Sequence, residues 1–277
     1  MNKKHYFFGG RYIPLTELKD MITGKIPCVR GYLPSETRKE FYHYTDIESL
    51  LIILSTAMFK FSRIDRVNDP LEKDPLVQYD LYRRIFIACF CKESIESIPL
   101  WKIYTQRGKG VRIGFFYKEG KINDHFVDPN RSIQDDDKDK IEWICCDKGQ
   151  VKSGMYLAIN DVSYVENPLI HNFHATERED ELEVMPDLFA MYKSTMWSYE
   201  KETRLVAYLF GNEDNDIDTK SILVPFDTSQ LDHIEVRFDP WMSEELKECL
   251  KLGVDKYASK WNIKVEYQNS DLCNKIV

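Results

Sequence analysis

The sequence predicts an α+β fold: one domain built on a mixed, bent β-sheet with helices beside it. Three observations carry that expectation. Short apolar runs recur between charged stretches, the clearest being Ile85-Phe86-Ile87-Ala88-Cys89-Phe90, which suits a buried central strand. Helical periodicity is confined to a few places, chiefly 45–57 and 243–260. Strands and helices interleave without regular βαβ units, internal repeat or clear linker, and 277 residues hold a substantial core.

Residues 1–40 are polar and interrupted by Pro14, Pro27 and Pro34, which predicts an N-terminal arm packed on a single α+β domain over 41–277. Regular structure is expected to begin with a strand at Phe41-Tyr42-His43-Tyr44. Thr45 and Glu48 then read as a capping box, with Ile47, Leu50, Leu51 and Leu54 at helical spacing up to about Ala57. Phe59-Lys60-Phe61-Ser62 reads as a second strand, and Asn68-Asp69-Pro70 as a loop. A helical turn is expected at Leu100–Tyr104, and the turn Gly108-Lys109-Gly110 leads into a strand over Val111–Phe116.

Residues 118–150 carry Asp135-Asp136-Asp137-Lys138-Asp139 and predict an acidic surface excursion. A strand is expected near Asp161–Val165 and helix over about 175–198. The segment from Glu200 to Phe210 reads as extended. Strands at Ser221–Pro225, His233–Arg237 and Ile263–Tyr267 close the domain, with a helix from Ser243 to about Lys260.

The formal charge of −8 argues against broad electrostatic capture of nucleic acid or anionic membrane. No apolar stretch approaches the length of a membrane span, and the apolar part of the first ten residues is too short for a signal peptide. Seven cysteines without framework spacing fit a reducing compartment, so a cytoplasmic protein is expected.

The segment Glu200-Lys201-Glu202-Thr203-Arg204 carries the sharpest chemical signal. If the strand starts at Glu200, then Glu200, Glu202 and Arg204 share one face, while Thr203, Leu205, Ala207 and Leu209 point to a core. Two carboxylates about 7 Å apart beside a fixed cation suggest a site. The alternative is an edge strand carrying solvated charges.

Elsewhere the usual signatures are missing. Neither Cys89/Cys91 nor Cys145/Cys146 has zinc-finger spacing, and His171 with His174 is an isolated pair, so no metal is expected. No Walker-type or G-x-G-x-x-G loop is present, and no G-x-S-x-G. His43, flanked by Tyr44 and Thr45 just before a helix, is placed to meet a sugar or phosphate. The loop with Arg63, Arg66, Asn68, Asp69 and Glu72 adds polar groups, and Trp101 with Tyr104 offers flat apolar surface. In combination these suit a nucleotide-sized ligand.

The motifs F-Y-H-Y-T-D-I-E-S-L-L-I-I-L, F-K-F-S-R-I-D-R-V-N-D-P-L-E, I-A-C-F-C, L-W-K-I-Y, G-K-G-V-R-I-G-F and W-S-Y-E-K-E-T-R-L-V occur in that order. The series resembles the bacterial domain-of-unknown-function 2971 family over roughly residues 40–250. That family's motif order in turn resembles the ADP-ribosyltransferase superfamily, including its DNA-modifying toxin and RNA 2′-phosphotransferase branches. The resemblance implies a split sheet with NAD as substrate. It implies His43 as the ribose-holding residue, Glu202 as the catalytic glutamate and Glu200 as the first acid of an E-x-E. Arg204 would keep both acids ionised or bind pyrophosphate. The acceptor would be a protein or nucleic acid of unknown identity, or water, and the toxin branches point to bacterial conflict such as phage defence. A non-catalytic nucleotide- or partner-binding module and an RNA-directed 2′-phosphotransferase-like enzyme are the alternatives.

Overall fold

The structure is a computed structural model. It describes residues 5–8, 11–14, 40–69, 83–118, 143–146, 149–152, 154–166, 175–178, 181–184, 191–210, 219–273 and 275. Strands β1 (His5–Phe8) and β2 (Arg11–Pro14) form an antiparallel hairpin within the N-terminal arm. β3 (Glu40–Asp46) leads directly into helix α1 (Ile47–Thr56), followed by β4 (Met58–Arg63), β5 (Ile85–Cys91), α2 (Ile98–Tyr104) and β6 (Gly110–Tyr117). Six short or middling strands follow: β7 (Trp143–Cys146), β8 (Gly149–Lys152), β9 (Gly154–Asp161), β10 (Ser163–Val165), β11 (Ala175–Arg178) and β12 (Glu181–Val184). β13 (Tyr192–Ser194), β14 (Glu202–Phe210), β15 (Ser221–Pro225), β16 (Leu231–Phe238), α3 (Glu244–Lys260) and β17 (Val265–Asn269) complete the order.

Among the described residues, eleven strands form one mixed sheet, in the order β17-β16-β6-β3-β5-β4-β15-β7-β8, with β14 on β5 and β9 beyond β14. Among its described pairings, β16 with β17 is parallel and the others are antiparallel. β5 is the branch point. One of its edges pairs with β14 along its whole length, from Glu202↔Cys91 to Tyr208↔Ile85. Its other edge is divided, with β3 meeting it at Tyr42↔Cys91 and β4 at Ser62↔Ile87 and Arg63↔Phe86. Between the two ladders lie Ala88, Cys89 and Phe90, so the sheet opens there.

The main core lies on one face of the sheet. Leu50, Ile53 and Leu54 of α1 and Leu250, Val254 and Ala258 of α3 pack on Phe41, Ile113, Phe115 and Val236. A smaller cluster on the opposite face places Leu100 and Trp101 of α2 against Tyr42, Tyr44 and Cys91. α2 thus covers that face over β3, beside the split. Among the described residues, no helix is long and apolar enough to cross a membrane.

Several elements depart from the sequence reading. Asp46, not Thr45, caps α1, its carboxylate accepting from Ser49 N at 2.7 Å, because β3 continues through Thr45 to pair with Val111. The segment expected to be helical over 175–198 instead forms β11, β12, β13 and a 3₁₀ helix at Thr195–Glu200. Its backbone pairs as strands, β11 antiparallel with β12 and β13 parallel with β10. Part of the expected excursion at 118–150 joins the large sheet, since β7 pairs with β15 and β8. Its aspartate run lies outside the described residues, as do His171 and His174.

Candidate functional site

Glu202 opens β14 and Arg204 follows two residues on, opposite Leu205, Ala207 and Leu209, which enter the main core as the alternation requires. β14 has a neighbour on each side, β5 and β9, so these charges are not those of a solvated sheet edge. Both side chains are almost fully buried, Glu202 at 3% and Arg204 at 1% exposure. The guanidinium grips the carboxylate with two bonds, Nε to Oε1 at 2.7 Å and Nη2 to Oε2 at 3.0 Å.

Glu200 reaches the same place by a different route. The extended run does not start there: Glu200 ends the 3₁₀ helix, and Lys201 with φ of 46° turns the chain into β14. Lys193 of β13 joins the two acids. Its Nζ donates to Glu200 Oε2 at 2.5 Å and to Glu202 Oε2 at 3.1 Å. One ammonium reaches both, so the carboxylates stand closer than the about 7 Å spacing of an extended strand. Tyr104 of α2 donates its hydroxyl to Glu200 Oε1 at 2.8 Å.

The two carboxyls are pushed apart in acidity. Burial raises Glu202, but the Arg204 guanidinium and then the Lys193 ammonium outweigh it and hold it down at about 2. Burial also raises Glu200. Lys193 opposes that rise and Glu202 adds to it, and the net result stays above the ordinary glutamate range. The expectation that Arg204 keeps both acids ionised is therefore corrected, because Arg204 bonds Glu202 while Lys193 is the shared cation.

These groups line a cavity of about 640 Å³, within the range of small-molecule sites. The register puts Lys60, Ser62, Ile87, Cys89, Glu202 and Arg204 on one sheet face, and all six line it. Phe59 and Phe90, which belong to the core on the other face, line it too, so the cavity reaches into the split between β3 and β4. His43 stands at that split. Its Nδ1 lies 2.9 Å from the Cys89 carbonyl, which can only accept, so Nδ1 carries the proton. Burial lowers the imidazole below its ordinary range. A neutral ring protonated at Nδ1 offers Nε2 as an acceptor. Cys89 is accessible and lines the cavity, yet burial first and Glu202 next push its thiol well above the usual range. It acts as a hydrogen-bond donor to Glu202.

Of the residues singled out in the sequence, His43, Tyr44, Thr45, Arg66, Asn68, Tyr104, Glu200, Glu202 and Arg204 line this one cavity, Arg63, Asp69 and Trp101 do not, and Glu72 lies outside the described residues. Arg63 sits at a core-facing position of β4, 1% exposed, and grips Asp65 through Nε at 2.7 Å and Nη2 at 2.9 Å. Trp101 is wholly buried beneath α2, its edge on Tyr44 and its Nε1 donating to Glu96 at 2.8 Å. Tyr104, one helical turn after Leu100, supplies a hydroxyl to Glu200 and not merely a flat face. Lys193 was invisible to sequence reasoning. It is a single lysine in a segment with helical composition, and only the β10–β13 pairing brings it to the acids.

The arrangement holds an anionic carboxylate, a second carboxyl of raised pKa and a neutral imidazole acceptor around one cavity. That set can bind sugar hydroxyls, stabilise a developing cation and accept a proton. No family model, no curated protein and no solved structure matches this chain.

Proposed function

We propose that the chain binds NAD, or a closely related nucleotide, in this cavity and cleaves its nicotinamide–ribose bond. ADP-ribose would pass to a protein, to a nucleic acid or to water. The carrying observation is that His43 and the Glu200–Glu202 pair line the same cavity of about 640 Å³. The divided edge of β5 and the motif series also support a sheet of ADP-ribosyltransferase type.

The chemistry follows from the charges. As the C1–N bond breaks, its electron pair leaves with nicotinamide and positive charge grows on the ribose, as in glycoside hydrolysis. Glu202, held ionised, favours that charge through its field. Both its oxygens are already engaged by Arg204, Lys193 and Cys89, so its role is electrostatic. Among the described residues Glu200 accepts from Tyr104 and Lys193, and its pKa is raised, so it is the group suited to take the proton of the attacking hydroxyl. His43 Nε2 accepts from a ribose hydroxyl.

The saturation of Glu202 supports a second reading, in which the cavity binds the nucleotide without cleaving it. Nicotinamide release separates the two. The cleavage reading expects release by the parent chain, with a loss of at least about a hundredfold in Glu202→Gln, the scale of a lost electrostatic stabiliser, and in Glu200→Gln, the scale of a lost acid–base group. Parent-like NAD consumption by Glu202→Gln removes the catalytic assignment. Thermal stabilisation by NAD without any release supports the binding module.

A further inference from the structure

Lys193 and Arg204 are the cations nearest the acids, but their charge is already met by Glu200 and Glu202. Among the described residues, the other cations lining the cavity are Lys60 and Arg66, with Glu48 as the remaining acid. Lys60 projects from β4 on the same sheet face as Glu202 and is exposed. Arg66 closes the 3₁₀ turn Ile64–Arg66 that follows β4, and its side chain is 52% exposed. Its acidic neighbour Asp65 has one oxygen on Arg63 Nε and the other on Arg63 Nη2, leaving Arg66 a single long contact of 3.9 Å. Ser62 and Asn68 add neutral polar groups beside them on the cavity wall. On a chain of formal charge −8, two outward cations on one cavity are a local reversal of sign.

We infer that Lys60 and Arg66 form a phosphate-binding subsite, the part of the cavity that takes the pyrophosphate of a dinucleotide. The identity of that ligand rests on the nucleotide reading above; the preference for a phosphoryl anion rests on the two cations. The guanidinium matches two phosphate oxygens in its plane, and the lysine adds a mobile point charge. The pyrophosphate role open to Arg204 in the sequence passes to them, because Arg204 is locked on Glu202 by two bonds at 1% exposure.

Titration calorimetry on the full chain tests this with three probes: inorganic pyrophosphate, ADP and adenosine. The parent should bind pyrophosphate, and bind ADP more tightly than adenosine, with both anion affinities falling as salt rises. Lys60→Ala/Arg66→Ala should weaken pyrophosphate and ADP by at least about tenfold and leave adenosine unchanged, the scale of one lost charge-assisted bond. Lys60→Arg/Arg66→Lys, which keeps both charges, should retain most of the anion affinity. ADP affinity within about twofold of the parent in the alanine variant overturns the subsite. So does a parent that ignores pyrophosphate. Pyrophosphate binding through these residues without nicotinamide release leaves the subsite standing and removes the cleavage; NAD cleavage indifferent to both alanines removes the subsite alone.

Discussion

His43 donates from Nδ1 to the carbonyl of Cys89 at 2.9 Å, at the point where β3 and β4 diverge on the edge of β5. The bond replaces a ladder contact that the split removes, so the imidazole satisfies a strand carbonyl and borders the cavity at once. Burial holds its pKa below the value of 6.5 that an unperturbed histidine has. The unfolded chain therefore binds more protons as pH falls through about 6.5, and stability declines from there through the folded pKa. His43→Gln can still donate to the Cys89 carbonyl and cannot titrate. Urea midpoints between pH 7.5 and 5.5 should fall less in the variant than in the parent. Equal losses would show that the imidazole is not buried neutral.

Glu202 and Glu200 should respond to mutation with different severity. Glu202 is depressed to about 2, so its contribution is present above the usual glutamate pKa and is lost as pH falls toward 2. Glu200 is raised, so its contribution is present below the usual pKa and is lost as pH rises through the folded value. At neutral pH, removing the Glu202 charge strands Arg204 and Lys193. Glu202→Gln should cost about 3–5 kcal/mol, the scale of a broken buried ion pair. Glu200→Gln should cost clearly less at pH 7, and the gap should narrow toward pH 4. Chemical denaturation of the three proteins at both pH values checks the ordering.

Tyr104→Phe isolates one hydrogen bond. The hydroxyl donates to Glu200 and favours its ionised form, although burial dominates the raised pKa. Without it, Glu200 should titrate at still higher pH. The stability cost should be about 2 kcal/mol, as for a hydrogen bond to a charged group. Carboxyl carbon resonances of Glu200 followed by NMR against pH give the shift directly; an unchanged titration would mean the bond does not set this acid.

What the sequence disclosed and what it hid divide along physical lines. β5 is legible as an unbroken apolar run of strand length, and α3 because its apolar residues recur at helical spacing. Glu202 and Arg204 are legible because alternation on a strand is local. Glu200 is placed correctly for the wrong reason, since a 3₁₀ helix and a left-handed Lys201 stand where an extended chain is expected. Lys193 is hidden because long-range strand pairing, not local spacing, delivers it. Arg63 and Lys60 show the cost of judging residues by charge alone. They lie three apart on β4, on opposite faces, and only Lys60 borders the cavity.

Gly110 ties the site to the fold and gives a last prediction. A Cβ there would lie 2.3 Å from Thr105 Cβ and 2.6 Å from the Thr45 carbonyl oxygen, with backbone on both sides and no flexible tip to move. Thr105 is fixed in turn by its hydroxyl, which donates to Asp239 Oδ2 at 2.6 Å. Gly253 in α3 is the contrasting case, where an added Cβ meets the flexible end of the Leu51 side chain, Cδ2 at 3.3 Å and Cδ1 at 4.0 Å. Gly253→Ala should be neutral or stabilising, since a helix interior prefers alanine by about 1 kcal/mol. Gly110→Ala should destabilise by about 3 kcal/mol, at the upper end of overpacking. Relief of the clash must push Thr105 away from β3 and β6, and Tyr104 moves with it, so the hydroxyl withdraws from Glu200. The variant should therefore lose nucleotide affinity at temperatures where its far-ultraviolet circular dichroism is still that of the parent. Full affinity in a folded Gly110→Ala protein would show that the glycine serves packing only and does not position Tyr104.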